Sequence, residues 1–157
     1  MTHKFRALAV TGMLVGACIL ARAAPAHAGL GRAYSSLEAD RQALGATLSV
    51  AGAGAYTVNT LALANGGVVK EFTRPDGVVF AVVWRAPGRP DLHQLLGDNF
   101  DTMQADNAAR VGRRVRRPIT VKRSDLLIQS GGHPGAFWGV ALTPQLQPAG
   151  FSASDLK

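Results

Sequence analysis

The middle of the chain alternates between apolar and polar positions in a way that predicts an antiparallel sheet. Residues 56–63 are rich in β-forming side chains, and Asn65-Gly66 then supplies a turn that is typical of two-residue hairpins. A second strand is predicted over 68–73. Pro75-Asp76-Gly77 indicates another turn, because proline presets φ and glycine tolerates a positive φ. These signals predict a meander that continues into a third strand over 78–84.

The third strand is apolar at every position, so we expect it to be covered on both faces. Strict alternation along a strand points successive side chains to opposite faces. It assigns one face to Val78, Phe80, Val82 and Trp84, and the other face to Val79, Ala81 and Val83.

Helical periodicity is clearest after Asp91, which is a suitable N-cap. The predicted helix carries an apolar stripe made of Leu92, Leu95, Leu96, Phe100 and Met103. An earlier helix is predicted from the capping box Ser35-Ser36-Leu37-Glu38 to Leu44, with Gly45 at its C-terminal end. The small-residue stretch 51–55 is interpreted as a loop.

Three further short strands are predicted over 119–122, 126–129 and 136–142. Strands and helices come in blocks rather than in regular alternation, which favours the α+β class over α/β. We therefore predict a single compact α+β domain over residues 29–157, in which two helices pack on an antiparallel β-meander sheet.

The first 28 residues have the three-part layout of a secretory signal peptide. Lys4 and Arg6 precede an uncharged apolar stretch from Ala7 to Leu20, and Ala26-His27-Ala28 offers a small-x-small cleavage site. The apolar stretch is shorter than the roughly 20 residues that a membrane-spanning helix needs. We expect cleavage near Ala28 and a periplasmic or secreted mature chain without a transmembrane segment.

Cys18 leaves a second localisation open, that of a lipoprotein, because Val15-Gly16-Ala17-Cys18 is similar to the lipobox of bacterial lipoproteins. The apolar run continues past Cys18, which favours the soluble form over the lipoprotein. The chain has no other cysteine, so the mature domain cannot form an internal disulfide. Its two histidines, His93 and His133, give no metal-ligand spacing. We expect neither a metal nor a cofactor.

Basic residues are concentrated between the predicted helix and the strand that follows it. Seven of the 17 basic residues lie in this run, and no acidic residue does: Arg110, Arg113, Arg114, Arg116, Arg117, Lys122 and Arg123. An anionic surface or polymer is the functional interpretation of such a positive field, and a solvated loop is the structural one. Nucleic acid is disfavoured, because the run lacks aromatic residues for base stacking and export separates the chain from intracellular nucleic acid.

Ser130 and His133 lie in the glycine-rich segment Ser130-Gly131-Gly132-His133-Pro134-Gly135. A serine beside a histidine is a candidate nucleophile and base, and the nearby backbone N–H groups are candidate oxyanion donors. The serine is not in a G-x-S-x-G elbow, however. The alternative interpretation is a tight hairpin turn with an exposed histidine.

Several motifs occur together in an order that is specific to one protein family. They are Glu38-Ala39-Asp40-Arg41, Leu44-Gly45, Tyr56-Thr57-Val58, Glu71-Phe72, the stretch from Pro75 to Trp84, Pro90-Asp91-Leu92, Leu95-Leu96-Gly97, Ser130-Gly131-Gly132-His133 and Pro148-Ala149-Gly150. Through them the mature chain resembles the small exported proteins of proteobacteria that are catalogued as domain of unknown function 2844. The resemblance implies export, and it implies no particular activity, cofactor or catalytic residue.

The pattern as a whole predicts an exported, non-catalytic binding or interaction domain whose partner is an envelope protein or an anionic surface. Two alternatives remain open. One is a small hydrolase-like enzyme that uses Ser130 and His133. The other is an envelope protein that binds anionic surfaces through Arg110–Arg123.

Overall fold

The computed structural model of the chain describes residues 29–33, 37–109 and 118–156. Their centre is one antiparallel sheet of seven strands. In chain order these are β1 (Thr47–Gly52), β2 (Thr57–Ala62), β3 (Val68–Thr73), β4 (Val79–Ala86), β5 (Ile119–Lys122), β6 (Leu127–His133) and β7 (Ala136–Leu142). The helices are α1 (Leu37–Ala43), α2 (Leu92–Leu96) and α3 (Asn99–Ala108), and 3₁₀ turns lie at Pro144–Leu146 and Ala153–Leu156.

The strand order is β1-β2-β3-β4-β7-β6-β5. The first four strands form a meander, and the last three form a second meander that joins it by pairing β7 with β4. The connection from β4 to β5 contains α2 and α3. This arrangement confirms the predicted α+β class and its antiparallel sheet.

Two predicted elements differ from the observed ones. Residues 51–55 were predicted to be a loop and no strand was predicted before them, whereas Thr47–Gly52 forms β1 and pairs with β2 along its whole length. The single helix predicted after Asp91 is two helices, because Gly97 at φ 53° ends α2 and α3 begins at Asn99. Asp91 is the N-cap of α2 as expected, and its side chain accepts hydrogen bonds from the backbone N–H groups of His93 and Gln94.

A β-bulge in β4 overturns the predicted division of its side chains. Thr73 of β3 pairs with Val79, whereas Phe72 pairs with Ala81, so Phe80 is an extra residue on β4. A bulge of this kind reverses the alternation on one side of the extra residue. Val79 therefore lies in one core cluster with Val82 and Trp84, and Phe80 lies in the other with Ala81 and Val83.

The sheet has apolar residues on both faces. On one, which we call the helix face, the helices pack against side chains such as Leu61, Val82 and Ile128. On the other, the tail face, the C-terminal segment (residues 144–156) covers Phe72 and Phe80 with Leu146, Phe151 and Leu156. Every residue of β4 except Arg85 is buried, which confirms that this strand is covered on both sides.

Tyr56, Phe72, Phe80 and Phe151 form an aromatic cluster on the tail face. All six pairs among the four rings have centroid separations between 4.8 and 6.2 Å, and most of them meet edge to face. The Tyr56 hydroxyl also donates to Asp155 Oδ2 at 3.0 Å. Ring packing and this hydrogen bond together hold the C-terminal segment on the sheet.

Candidate functional site

A groove of about 970 Å³ opens on the helix face, where α2 and α3 meet the ends of β6 and β7. Its apolar lining includes Trp84, Phe100, Met103, Ile119 and Phe137. Concave sites with an apolar floor and a few polar groups are the usual form of small-molecule sites in proteins. The groove is therefore the strongest candidate site among the described residues.

The Trp84 indole forms part of the groove because Gly139 leaves room for it. The two residues are cross-strand partners on β4 and β7. A Cβ added to Gly139 would lie 2.0 Å from Trp84 Cζ2, so any side chain larger than glycine would displace the ring. The sequence therefore places a glycine where the tryptophan must lie flat across the neighbouring strand.

Polar groups surround this floor. The Arg89 guanidinium carbon lies 5.8 Å from the centre of the Phe137 ring, within reach of a cation–π interaction. Asp91 Oδ1 accepts from the N–H groups of His93 and Gln94, at 2.9 and 3.1 Å, so the N-terminus of α2 partly neutralises its charge. The His93 ring meets Phe100 edge-on at 5.4 Å.

Ser130 and His133 both line this groove. They are three positions apart on β6, and regular alternation along a strand sends such side chains to opposite faces. His133 Nδ1 lies 2.9 Å from the carbonyl oxygen of its neighbour Pro134. Both residues therefore line one groove, and the His133 ring contacts the backbone of its own turn. β6 runs through the predicted loop to His133, and only Pro134 and Gly135 turn the chain into β7.

Only two members of the basic run can be placed. Arg110, Arg113, Arg114, Arg116 and Arg117 lie outside the described residues. Lys122 ends β5 with an exposed side chain, and Arg123 forms an ion pair with Asp106 of α3, with Nη2 and Oδ1 2.5 Å apart. Anion binding by the run stays a prediction.

A second polar group of residues is buried in the core under α1 and α2. Asp40 of α1 and Glu71 of β3 are 0% and 1% exposed. Gln94 Nε2 of α2 donates to Asp40 Oδ1. Beside them, Asn59 Nδ2 of β2 donates to Thr73 Oγ1 at 2.8 Å. The first of these contacts joins α1 to α2, and the second joins β2 to β3.

The two buried carboxyl groups hold a proton. Burial, followed by the charge of Asp40 and a hydrogen bond to it, raises the pKa of Glu71 to about 9. Burial also raises the pKa of Asp40, and the hydrogen bonds from Gln94 and Glu71 oppose that rise. Both Glu71 oxygens and Asp40 Oδ2 meet no N–H or O–H group of the described residues. A proton on Glu71 supplies a donor that these oxygens otherwise lack.

The sequence analysis did not single out this pair or the groove. The sequence contained one signal for Glu71. Val69 and Glu71 lie on one face of β3 and the buried Phe72 lies on the other, so strand alternation gives Glu71 an inward position next to apolar neighbours. Its partners come from α1 and α2, at separations along the chain that no local pattern reveals. The groove is likewise assembled from α2, α3 and the β6–β7 hairpin.

Within the described ranges, no three His, Cys, Asp or Glu side chains are arranged as a metal site. Across those same ranges, no helix is long and apolar enough to span a bilayer.

Comparison with known proteins identifies the family of the chain but no activity. No curated protein and no solved structure gave a match. One family model, described as "Protein of unknown function (DUF2844)", matches residues 26–156. Because this match covers nearly the whole chain, including the groove and the buried carboxyl pair, the protein belongs to the DUF2844 family.

Proposed function

We propose that this chain is an exported binding protein, and that its helix-face groove holds an apolar ligand that carries a negative charge. The observation that carries the proposal is the groove itself, where Trp84, Phe100 and Phe137 form an aromatic floor next to the Arg89 guanidinium. An apolar floor supplies most of the binding free energy of such a site, and a charged group at its rim orients the ligand.

Charge at the rim favours an anion over a cation. The ion pairs of the described residues involve Arg32, Arg41, Arg74 and Arg123, and none of them uses Arg89. Oδ1 of the Asp91 carboxylate at the same rim is occupied by the two N–H groups that it caps. Among the described residues of the rim, Arg89 is thus the cation that is available to a ligand.

Two fluorescent probes of similar shape test the ligand class. 1-Anilinonaphthalene-8-sulfonate carries a negative charge, and N-phenyl-1-naphthylamine is neutral. We expect both to bind the parent protein with enhanced emission. Arg89→Gln should weaken the sulfonate about five- to tenfold, equivalent to ~1–1.4 kcal/mol, and leave the neutral probe unchanged. Arg85→Gln, on the exposed part of β4, is the matched control.

A steric pair of variants tests the position of the site. Ser130→Phe places a ring in the groove and should abolish binding of both probes. Gln129→Phe adds the same ring one position earlier on β6, where the exposed side chain points to the opposite face. Equal probe affinity of the Ser130→Phe variant and the parent would place the binding site elsewhere and reject the proposal.

We expect binding without turnover, because Ser130 and His133 lie three positions apart on β6, where strand alternation separates a nucleophile from its base. The hydrolase-like alternative makes the opposite prediction. A panel of p-nitrophenyl esters should be hydrolysed no faster by the parent than by Ser130→Ala. A rate that depends on Ser130 would favour the enzyme.

Export is supported by the layout of residues 1–28, and the family match begins only at residue 26. Residues directly after the expected cleavage site belong to the fold: Leu30 is 2% exposed, and its N–H donates to the Leu95 carbonyl at 3.2 Å. Intact-mass measurement of protein recovered from the periplasm or the medium should give a chain that starts at Gly29. An uncleaved N-terminus, or diacylglycerol on Cys18, would contradict this processing.

A further inference from the structure

β1 forms one end of the sheet, and its outer edge has no strand beside it among the described residues. Its pairing with β2 is unbroken from Thr47↔Ala62 to Gly52↔Thr57, so no bulge twists the edge away. Every residue of β1 except Leu48 is exposed, and Val50 is 54% exposed. The strand contains neither a charged residue nor a proline. It therefore presents a straight, uncharged row of backbone donors and acceptors.

The opposite edge of the sheet differs in each of these respects. β5 has only four residues, begins directly after Pro118, and ends with Lys122 beside the Arg123–Asp106 ion pair. Natural proteins protect edge strands with short length, lysine and proline, because an unprotected edge pairs with other chains. One edge of this sheet is protected and the other is not, which indicates that β1 has a partner strand.

We infer that the partner is β1 of a second copy of this chain, paired antiparallel about a two-fold axis through Ser49. In such a pairing, residues that lie opposite each other share a face of the sheet. With Ser49 opposite Ser49, Leu48 lies opposite Val50 on the helix face, and Thr47 lies opposite Ala51 on the tail face. Each copy thus covers the exposed Val50 of the other with a leucine that already packs on the core.

Charge favours this pairing over one at the other edge. The described cations Lys122 and Arg123 belong to β5 and the residue after it, at the far end of the seven-stranded sheet. Two positively charged copies joined at β1 keep these residues far apart. Joining at β5 would instead put the Lys122 and Arg123 side chains of both copies at the interface, where their like charges repel. The interface is separate from the groove, so the test of the dimer does not depend on the proposed function.

Sedimentation of the processed chain that starts at Gly29 should show a dimer that dissociates on dilution. Val50→Lys should raise the dissociation constant about tenfold or more, since it places two lysines near the two-fold axis. Because the Val50 side chain is exposed, the substitution should leave the protein folded, and circular dichroism checks the fold. Leu127→Lys, at a half-exposed leucine within the sheet, is the matched control and should leave the dimer intact.

Disulfide trapping tests the register. Directly opposed Cα atoms lie about 4.5–5.5 Å apart, within the range that a disulfide spans. In the processed chain, which lacks Cys18, Ser49→Cys should cross-link two copies under mild oxidation. Thr47→Cys should not, because its two copies would be roughly 14 Å apart. A monomer at all concentrations, a dimer that is insensitive to Val50→Lys, or equal cross-linking by both cysteines would each overturn the inference.

Discussion

The Asp40 and Glu71 side chains put two carboxyl groups inside an apolar core, and their proton helps to hold α1 on the sheet. An unpaired carboxylate in this position would cost several kcal/mol. Sharing one proton reduces the cost, because a neutral carboxyl donates to an ionised one. Sequence alone could place Glu71 inward by strand alternation, but it could not identify Asp40 and Gln94 as its partners.

Stability should therefore fall as the pH rises. The unfolded chain releases the Glu71 proton near pH 4.5, whereas the folded chain keeps it up to about pH 9. Between these values the folded state binds the extra proton, so the free energy of unfolding decreases by up to about 1.4 kcal/mol per pH unit. Glu71→Gln should flatten this dependence in urea unfolding measured across the interval.

Glu38→Gln is the matched control for that experiment. Glu38 is an exposed carboxylate of the same helix as Asp40, and its hydrogen bond from Arg41 lowers its pKa to about 2. Removal of the Glu38 carboxylate should leave the decrease of the unfolding free energy between pH 4.5 and 9 unchanged. A slope that survives Glu71→Gln would mean that the proton is bound elsewhere.

Among the elements, those with clear turn residues or periodicity were predictable, including β7 to the residue and the hairpin at Asn65-Gly66. Three features were not. β1 mixes the strand formers Thr47 and Val50 with Ala51 and Gly52, which have weak strand preference. The apolar stripe of the predicted helix continues through Gly97, which hides the break between α2 and α3. β4 is apolar throughout, so its sequence contains no alternation from which a bulge could be read.

Phe80 is the extra residue of that bulge, and it is fully buried in the aromatic cluster. Phe80→Ala should lower the free energy of unfolding by roughly 3–5 kcal/mol, because it leaves a cavity between the sheet and the C-terminal segment. Leu127→Ala, at a leucine that is 37% exposed, should cost about 1 kcal/mol or less. Similar urea midpoints for the two variants would contradict the packing described for Phe80.

At the scale of the whole molecule, the last residues complete the core. A 3₁₀ turn lies at Ala153–Leu156. Its docking on the tail face could not be foreseen, because Phe151 and Leu156 meet side chains of strands that lie far away in the chain. The groove likewise depends on three separate segments, so neither face could be assembled from local patterns.

The hydrogen bond from Tyr56 to Asp155 joins residues that are 99 positions apart in the chain, and it can be tested alone. Tyr56→Phe keeps the ring in the aromatic cluster and removes the donor. It should reduce the free energy of unfolding by about 0.5–1.5 kcal/mol and speed amide exchange in residues 152–156. In an Asp155→Ala background the same substitution should have little further effect, and an undiminished effect would assign the loss to another contact.

The position of β4 has a consequence during synthesis. Its central pairing is with β7, so a nascent chain that has reached only residue 110 has already exposed β4 as an open edge. That strand is apolar on both sides, and such segments associate readily with other chains. Its partner strand is complete only at Leu142, and its cover on the tail face includes residues up to Leu156. The tail face of β4 therefore stays partly uncovered until residue 156 has been added, and until then this strand is open to association with other chains.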